Sequence, residues 1–381
     1  MDFYKRAKEL KEETIKHRRF FHENAEDGLN MSKAVKYIFD ELRALKLTPI
    51  LCGNGVTAAL GKGKPVLLLR ADMDALPMRE ESGLEFASKT NCAHTCGHDL
   101  HAAMLLTAAK ILCEMEDKLK GTVKLMFQPA EETLEGAKNM MDNGLFDEPS
   151  PDFALAFHVG AGNIPVGTVM YNNTAVMMNS ADRFTVTVEG RGGHGAMAHL
   201  TVNPIKIGVN IYKVLEALAK ENESLITIGK FSGGNTANVI PERVYIEGTI
   251  RTSSSSKREE LKAETEKTVK RIAEKLGGSA KLRFNSGTPP LICNRDFTER
   301  VVEYIKELSR DIKTIPDISV TASDDFAFIS ERVPSAYIYL SAGFSDNKGE
   351  YTAHHPRVLF NEDVLPLGVA AFCKCAVEIL K

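Results

Sequence analysis

Apolar residues are arranged in three ways along this chain. Over 3–24 and 31–46 they recur every three to four positions, with Phe20, Phe21, Ile38, Phe39, Leu42 and Leu45 on the apolar stripes. That spacing predicts two amphipathic helices. At 65–70, 122–127 and 153–157 they form short unbroken runs, the pattern of strands buried on both faces. From 183 onward they alternate with polar residues, over 183–189, 225–231 and 244–251, as half-exposed strands do. A helix beginning at Pro204 and running to about 219 lies among these strands. A charged amphipathic helix over 256–276 follows, closed by Gly277-Gly278, and then a strand over 279–284. Helices over 297–310 and 364–380, with a strand over 336–340 between them, complete the reading.

Strands alternating with helices predict an α/β catalytic-type domain with a mixed, largely parallel sheet. The order strand–helix–strand–strand–helix–strand is that of a ferredoxin-like α+β unit. It is placed as an insertion over 180–290, so the first domain is expected to use 1–179 and 291–381.

Composition narrows the function classes. The chain has 381 residues, with 43% hydrophobic and 26% charged, enough for two or three domains with a substantial core. A formal net charge of -3 favours neither nucleic acid nor an anionic membrane surface. No apolar run approaches the ~20 residues of a membrane helix. The first residues read as a charged helix, so no signal peptide is expected. The 7 cysteines fit neither a zinc-finger spacing nor a disulfide framework, which predicts a reduced, cytoplasmic protein.

Candidate chemistry is concentrated. Cys96, His98, Asp99 and His101 lie on a short stretch that leads into an apolar run over 102–112, so a core helix would hold them. Asp72 and Asp74 stand after the first buried run, Glu131 and Glu132 after the second, and His158 after the third. Sites in such sheets form at the carboxyl ends of strands. Adjacent Glu131 and Glu132 would point to opposite sides of an extended backbone, one free to bind metal and the other to move protons. Alone, that pair would read as a solvated acidic turn; its company makes it a site. His354 and His355 add imidazoles, with His355 read as a neighbour because Pro356 fixes the backbone after it. Thiol, imidazoles and carboxylate together suit one or two Zn²⁺- or Mn²⁺-like ions.

Two glycine loops lie in the inserted unit. Residues 190–195 match G-x-G-x-x-G after a strand, the dinucleotide-binding pattern. In that fingerprint the helix opens within the glycines, whereas here 196–203 intervene before Pro204. The remaining readings are glycine turns with a surface histidine, or, with the loop over 231–241, His194 and Asn238 as donors to a substrate. Asp324-Asp325 reads as a helix N-cap.

The ordered motifs Arg70-Ala71-Asp72-Met73-Asp74-Ala75-Leu76-Pro77, Cys96-Gly97-His98-Asp99, Gln128-Pro129-Ala130-Glu131-Glu132, Gly192-Gly193-His194, Asn238-Val239-Ile240-Pro241 and His354-His355-Pro356 span most of the chain. They resemble the hippurate hydrolase and indoleacetyl-amino-acid hydrolase branch of the aminoacylase/carboxypeptidase metallohydrolases. The resemblance implies a metal-dependent amidohydrolase that cleaves N-acyl amino acids, with two divalent ions (Zn, Mn, Ni or Co) and an inserted dimerisation domain in a homodimer or tetramer. It implies Cys96, His98, Glu132, His158 and His354 as metal ligands, with Cys96 bridging, and Asp74 behind them orienting a ligand. Glu131 would be the general base and His194 an oxyanion donor, acting in the partner's site. Asn238 and Arg251 would face the substrate carboxylate. Ala198, Asn203 and Asp324 depart from the branch's usual residues, and none is a proposed ligand. N-acetyl-diaminopimelate, aromatic acyl amino acids and short peptides all remain open as substrates. A non-catalytic metabolite-binding relative is the contrasting reading, and retention of Glu131 and every implied ligand stands against it.

Overall fold

The buried runs become the strands Val66–Asp72, Thr122–Gln128 and Phe153–Gly160. The computed structural model describes residues 1–173 and 176–381. It divides into two units, one of Met1–Met177, Ile292–Ser319 and Asp324–Lys381, the other of Met178–Leu291 and Val320–Ser323.

The first unit is built on an eight-stranded sheet. Its order is Ile50–Cys52, Gly55–Gly61, Thr122–Gln128, Val66–Asp72, Phe153–Gly160, Ser335–Ser341, Val169–Tyr171, Thr314–Ile315. The central four strands are parallel, and Gly55–Gly61 and Val169–Tyr171 pair antiparallel to them. The sheet is therefore mixed and largely parallel, as the periodicity indicated. The helix His98–Cys113 is apolar nearly all round and buried nearly throughout, packed between the strands and the helices Lys11–Glu23 and Leu365–Ile379.

The chain departs from its pattern in two respects. The helix expected over 3–24 breaks at Leu10 (φ -95°, ψ 7°) into Phe3–Glu9 and Lys11–Glu23. The two halves have different partners: the first packs on Leu365–Ile379, the second on His98–Cys113. The hairpin Ile50–Cys52/Gly55–Gly61 and the strands Val169–Tyr171 and Thr314–Ile315 were not expected. They are peripheral in the sheet, and three of them have at most three residues, too short for alternation to register.

The second unit holds a four-stranded antiparallel sheet in the order Leu225–Ser232, Arg243–Arg251, Ala181–Glu189, Ser279–Thr288. With helices Pro204–Glu221 and Ser255–Lys275 the chain order is strand–helix–strand–strand–helix–strand. Phe184, Val186, Val188, Ile207, Ile211, Leu215, Ile246, Leu261 and Val269 form its own core.

Candidate metal centre

The first unit gathers its chemistry where the parallel strands end. Val66–Asp72 delivers Asp72 and, just beyond it, Asp74. Thr122–Gln128 leads to Glu131 and Glu132, and Phe153–Gly160 carries His158. The loop ahead of the buried helix brings Cys96 and His98. Gly97 between them sits at φ 87°, and a Cβ there would lie 2.4 Å from Val159 Cγ2, so only glycine lets the loop approach this strand. Two non-glycine residues at the site also have left-handed backbone: Ala130 at φ 53°, directly before Glu131, and His354 at φ 68°. Such conformations cost about 1–3 kcal/mol each and concentrate at functional sites. The His354 backbone is held by its N–H, which donates to Thr95 O at 2.8 Å.

Among the described residues five overlapping groups of ligand-type atoms result, and two of them contain Cys96. Cys96, His98 and His158 place theirs within 4.8 Å of one another, and Cys96, Glu132 and His354 do the same. Cys96 belongs to both. Its Sγ is 3.6 Å from His158 Nε2, and His354 Nε2 is 3.4 Å from Glu132 Oε1. Glu131, the adjacent carboxylate, has Oε2 4.0 Å from His98 Nε2.

Hydrogen bonds decide which nitrogens are available. His98 Nδ1 donates to Asp74 Oδ1 at 3.2 Å, and Asp74 Oδ2 accepts the Glu132 N–H at 3.0 Å. One carboxylate thus fixes an imidazole and the backbone of a neighbouring carboxylate. His158 Nδ1 donates to Val159 O at 2.8 Å. Both rings therefore turn Nε2 toward the cluster, and the buried His98 Nε2 has no hydrogen-bond partner. An orphaned buried nitrogen, a second imidazole, a thiol and a carboxylate are a donor set that fits borderline-soft divalent ions.

Burial pushes the Cys96 thiol up to about 12; a bound cation reverses this and deprotonates a coordinating thiol. Burial, with His101 beside it, holds His158 well below the usual imidazole range, so its lone pair is kept. Burial disfavours a charged His98, but Asp72, Cys96 and Asp74 outweigh it and hold its pKa well above the ordinary value. Burial and the neighbouring Asp324 and Glu132 raise the Glu131 carboxyl well above the usual range. Glu132 moves the other way: burial opposes its charge, but the His354 hydrogen bond and the nearby His98 hold it low.

His194, Asn238 and Arg251 lie in the second unit. There the two glycine loops meet: His194 pairs with Val239, and the Gly195 N–H donates to Asn238 O at 2.9 Å. His194 is exposed, its Nδ1 accepting the Ala196 N–H at 3.1 Å. Arg251 is partly buried, donating to Ser323 Oγ at 2.9 Å and to Thr321 O at 3.3 Å. The G-x-G-x-x-G stretch opens no α-helix. Gly190 is needed because Val202 O would lie 2.1 Å from a Cβ, and the helix starts at Pro204 behind an Asn203 cap.

Sequence reasoning passed over a buried polar network beneath the candidate ligands. Arg70 pairs with Asp72 at 2.7 Å and, through Nη2, with Asp324 at 3.0 Å, and it donates to Gln128 Oε1 at 2.9 Å. Tyr337 OH donates to Asp324 Oδ2 at 2.6 Å. Asp324 does cap the Phe326 N–H at 2.7 Å, as expected of it, yet it also anchors Arg70. A charged residue inside the apolar run 65–70 was the available signal.

Comparison with known proteins agrees with this geometry. The model of peptidase family M20/M25/M40 matches residues 68–378. An N-acetyl-L-cysteine deacetylase of Bacillus subtilis (strain 168) is 34% identical over 368 residues, covering 93% of this chain and 85% of that protein. The IAA-amino acid hydrolase ILR1-like 2 of Arabidopsis thaliana is 34% identical over 381 residues, covering 96% and 85%. Among solved structures, a Bacillus subtilis protein described as a dinuclear metal binding peptidase from the M20 family superposes with a TM-score of 0.82 at 27% identity, covering 98% of this chain and 99% of that one.

Proposed function

The chain belongs to peptidase family M20/M25/M40, and from that premise we propose that it hydrolyses the amide bond of N-acyl amino acids, releasing a carboxylate and a free amino acid. The observation that carries the reading is Cys96 shared between two ligand sets, with Glu131 beside them. Cys96, His98 and His158 would hold one divalent ion, and Cys96, Glu132 and His354 the other, with Zn, Mn, Ni and Co all suited to these donors. When bound, such ions supply Lewis acidity, which lowers the pKa of water toward ~7 and favours negative charge on the amide oxygen.

The chain's residues do the rest. Glu131 Oε accepts a proton from the water that attacks the amide carbon and passes it to the amide nitrogen as the bond to the leaving amine breaks. Asp74 keeps His98 and Glu132 oriented. His194 donates to the oxyanion, and Asn238 and Arg251 receive the substrate carboxylate.

We read the assembly as a homodimer or tetramer in which the inserted unit, here 180–290, supplies His194 to the partner's site. Exposed Val209 and Tyr212 on helix Pro204–Glu221 and Leu225 and Phe231 on the edge strand Leu225–Ser232 support an interface there. A cytoplasmic location fits 7 free cysteines and the absence, among the described residues, of a helix long and apolar enough to cross a membrane. N-acetyl-diaminopimelate and dipeptides are alternative substrates within this chemistry.

The test is a panel of N-acetyl and aromatic N-acyl amino acids, N-acetyl-diaminopimelate and dipeptides, assayed with Mn²⁺, Zn²⁺, Ni²⁺ and Co²⁺. Metal-dependent release of free amino acid from N-acyl amino acids is expected. Cleavage of dipeptides alone, or of nothing in the panel, contradicts the proposal.

A further inference from the structure

We propose that His101 is a positioning residue: a neutral bracket that fixes the two imidazole ligands and binds no metal itself. The inference rests on the reading that His98 and His158 hold an ion. By composition His101 looks like a ligand, since one of its ring nitrogens lies within 4.8 Å of a carboxylate oxygen of Asp72 and a ring nitrogen of His98. It is three residues beyond His98 on the helix His98–Cys113, so the two rings share a face, with centroids 5.3 Å apart. Its ring is closer still to His158, at 4.6 Å.

The nitrogens rule out ligation. His101 Nε2 accepts the backbone N–H of Val159 at 2.8 Å. A backbone N–H can only donate, so Nε2 is the unprotonated nitrogen and the proton is on Nδ1. Nδ1 in turn donates to Asp72 Oδ1. Both nitrogens are committed, whereas His98 and His158 each use Nδ1 for a hydrogen bond and turn Nε2 toward the cluster.

What His101 grips explains what it positions. The ladder between Val66–Asp72 and Phe153–Gly160 ends with Arg70 opposite Ala156. Beyond that point His101 takes the Val159 N–H, while Val159 O takes the proton of His158 Nδ1. Val159 Cγ2 is also the wall that excludes a side chain at Gly97, between Cys96 and His98. One residue therefore links His101 to His158 and to the Cys96–His98 loop. On its other side His101 is moored through Asp72 to Arg70, Asp324 and Tyr337, all buried. A ring fixed at both nitrogens and packed on two ligand rings limits their rotation before any ion arrives.

The test compares the wild-type chain with His101→Ala, His101→Asn and His101→Gln. Asn retains a donor toward Asp72, and Gln retains an acceptor toward Val159 N–H, so each keeps one of the two bonds if the alanine variant fails to fold. The readouts are Co²⁺ stoichiometry, Co²⁺ dissociation constant, the visible Co²⁺ absorption spectrum, and melting of the metal-free protein. The wild type is expected to bind two ions per chain. Each folded variant is expected to keep two, with affinity weakened by about 10–100-fold and an altered Co²⁺ spectrum. Loss of one ion per chain in the folded variants would make His101 a ligand. Unchanged affinity and spectrum, with melting alone lowered, would make it a packing residue. Either result overturns the inference while the metal reading stands. A wild-type chain that takes up no ion overturns that reading, and this inference with it.

Discussion

His98 and His194 each follow a glycine, and the fold treats them oppositely. His98 is fully buried, its Nδ1 held by Asp74 and its ring packed beside His101 and His158. His194 is exposed, and its side chain bonds a backbone N–H two residues away. The orientation of the first is decided inside the chain by layers of buried hydrogen bonds. The second is held by its own loop and is available to a partner or substrate. Preorganisation in this protein thus belongs to the candidate ligand cluster, and on our proposal the role of His194 is completed on assembly.

The largest expected effect isolates the base from the ligands. Glu131→Gln should keep its ions and lose about 10²–10⁴-fold in kcat, because an amide cannot accept the proton. Glu132→Gln should lose an ion as well. Metal content measured beside turnover separates the two, and reversed phenotypes would exchange the roles of these neighbours.

His194→Ala should lower turnover by about 10²–10³-fold with metal content unchanged, the loss seen when an oxyanion donor is removed. Mixing it with Glu131→Gln sharpens the comparison. In a mixed dimer with reciprocal sites, one site carries both lesions and the other neither, so subunit exchange should restore activity. Inactive mixed dimers, verified as such, would place His194 outside the partner's site.

Asp74→Asn should weaken divalent-ion affinity by about 10–100-fold, since it loosens His98 and the Glu132 backbone together. An equilibrium titration of the metal-free protein checks this. Unchanged affinity would mean that His98 is oriented by packing alone.

The smallest effect on activity concerns a buried histidine outside the cluster. Burial disfavours charge on His22, but hydrogen bonds to Asp99 and Glu80 outweigh it and raise its pKa to about 9. The folded value lies above the unfolded ~6.5, so the stabilisation is complete below ~6.5 and is lost as pH rises toward 9. It amounts to up to about 3 kcal/mol. His17 is the opposite case: burial lowers it to about 4, so its stabilisation is present above ~6.5 and lost as pH falls through that window. The melting temperature of the chelated protein should therefore fall between pH 6.5 and 9 less steeply in His22→Gln than in the wild type. Parallel slopes would remove His22 from the balance.

Much of this was legible because two periodicities and one spatial rule carry it. Unbroken apolar runs marked the central strands, alternation marked the second unit's sheet, and strand carboxyl ends marked Asp74, Glu131 and His158. The hairpin Ile50–Cys52/Gly55–Gly61 was missed although Gly53-Asn54 is a turn signal, because its first strand spans only three residues. The roles of His101 and Arg70 were missed for a different reason. Their roles depend on which atoms they meet: Val159 N–H lies 58 residues from His101, and Asp324 lies 254 residues from Arg70. No local pattern encodes such partners. Sequence alone also could not separate three neighbouring imidazoles into two whose Nε2 faces the cluster and one whose Nε2 is taken by backbone.

The central claim is that Cys96 serves two ions at once, and metal content of Cys96→Ser tests it most directly. An alcohol is a far weaker ligand than a thiolate. The wild-type chain should bind two divalent ions, and Cys96→Ser should lose occupancy at both positions together with activity, while melting of the metal-free protein changes little. A Cys96→Ser protein that still carries two ions and turns over N-acyl amino acids like the wild type would contradict the account.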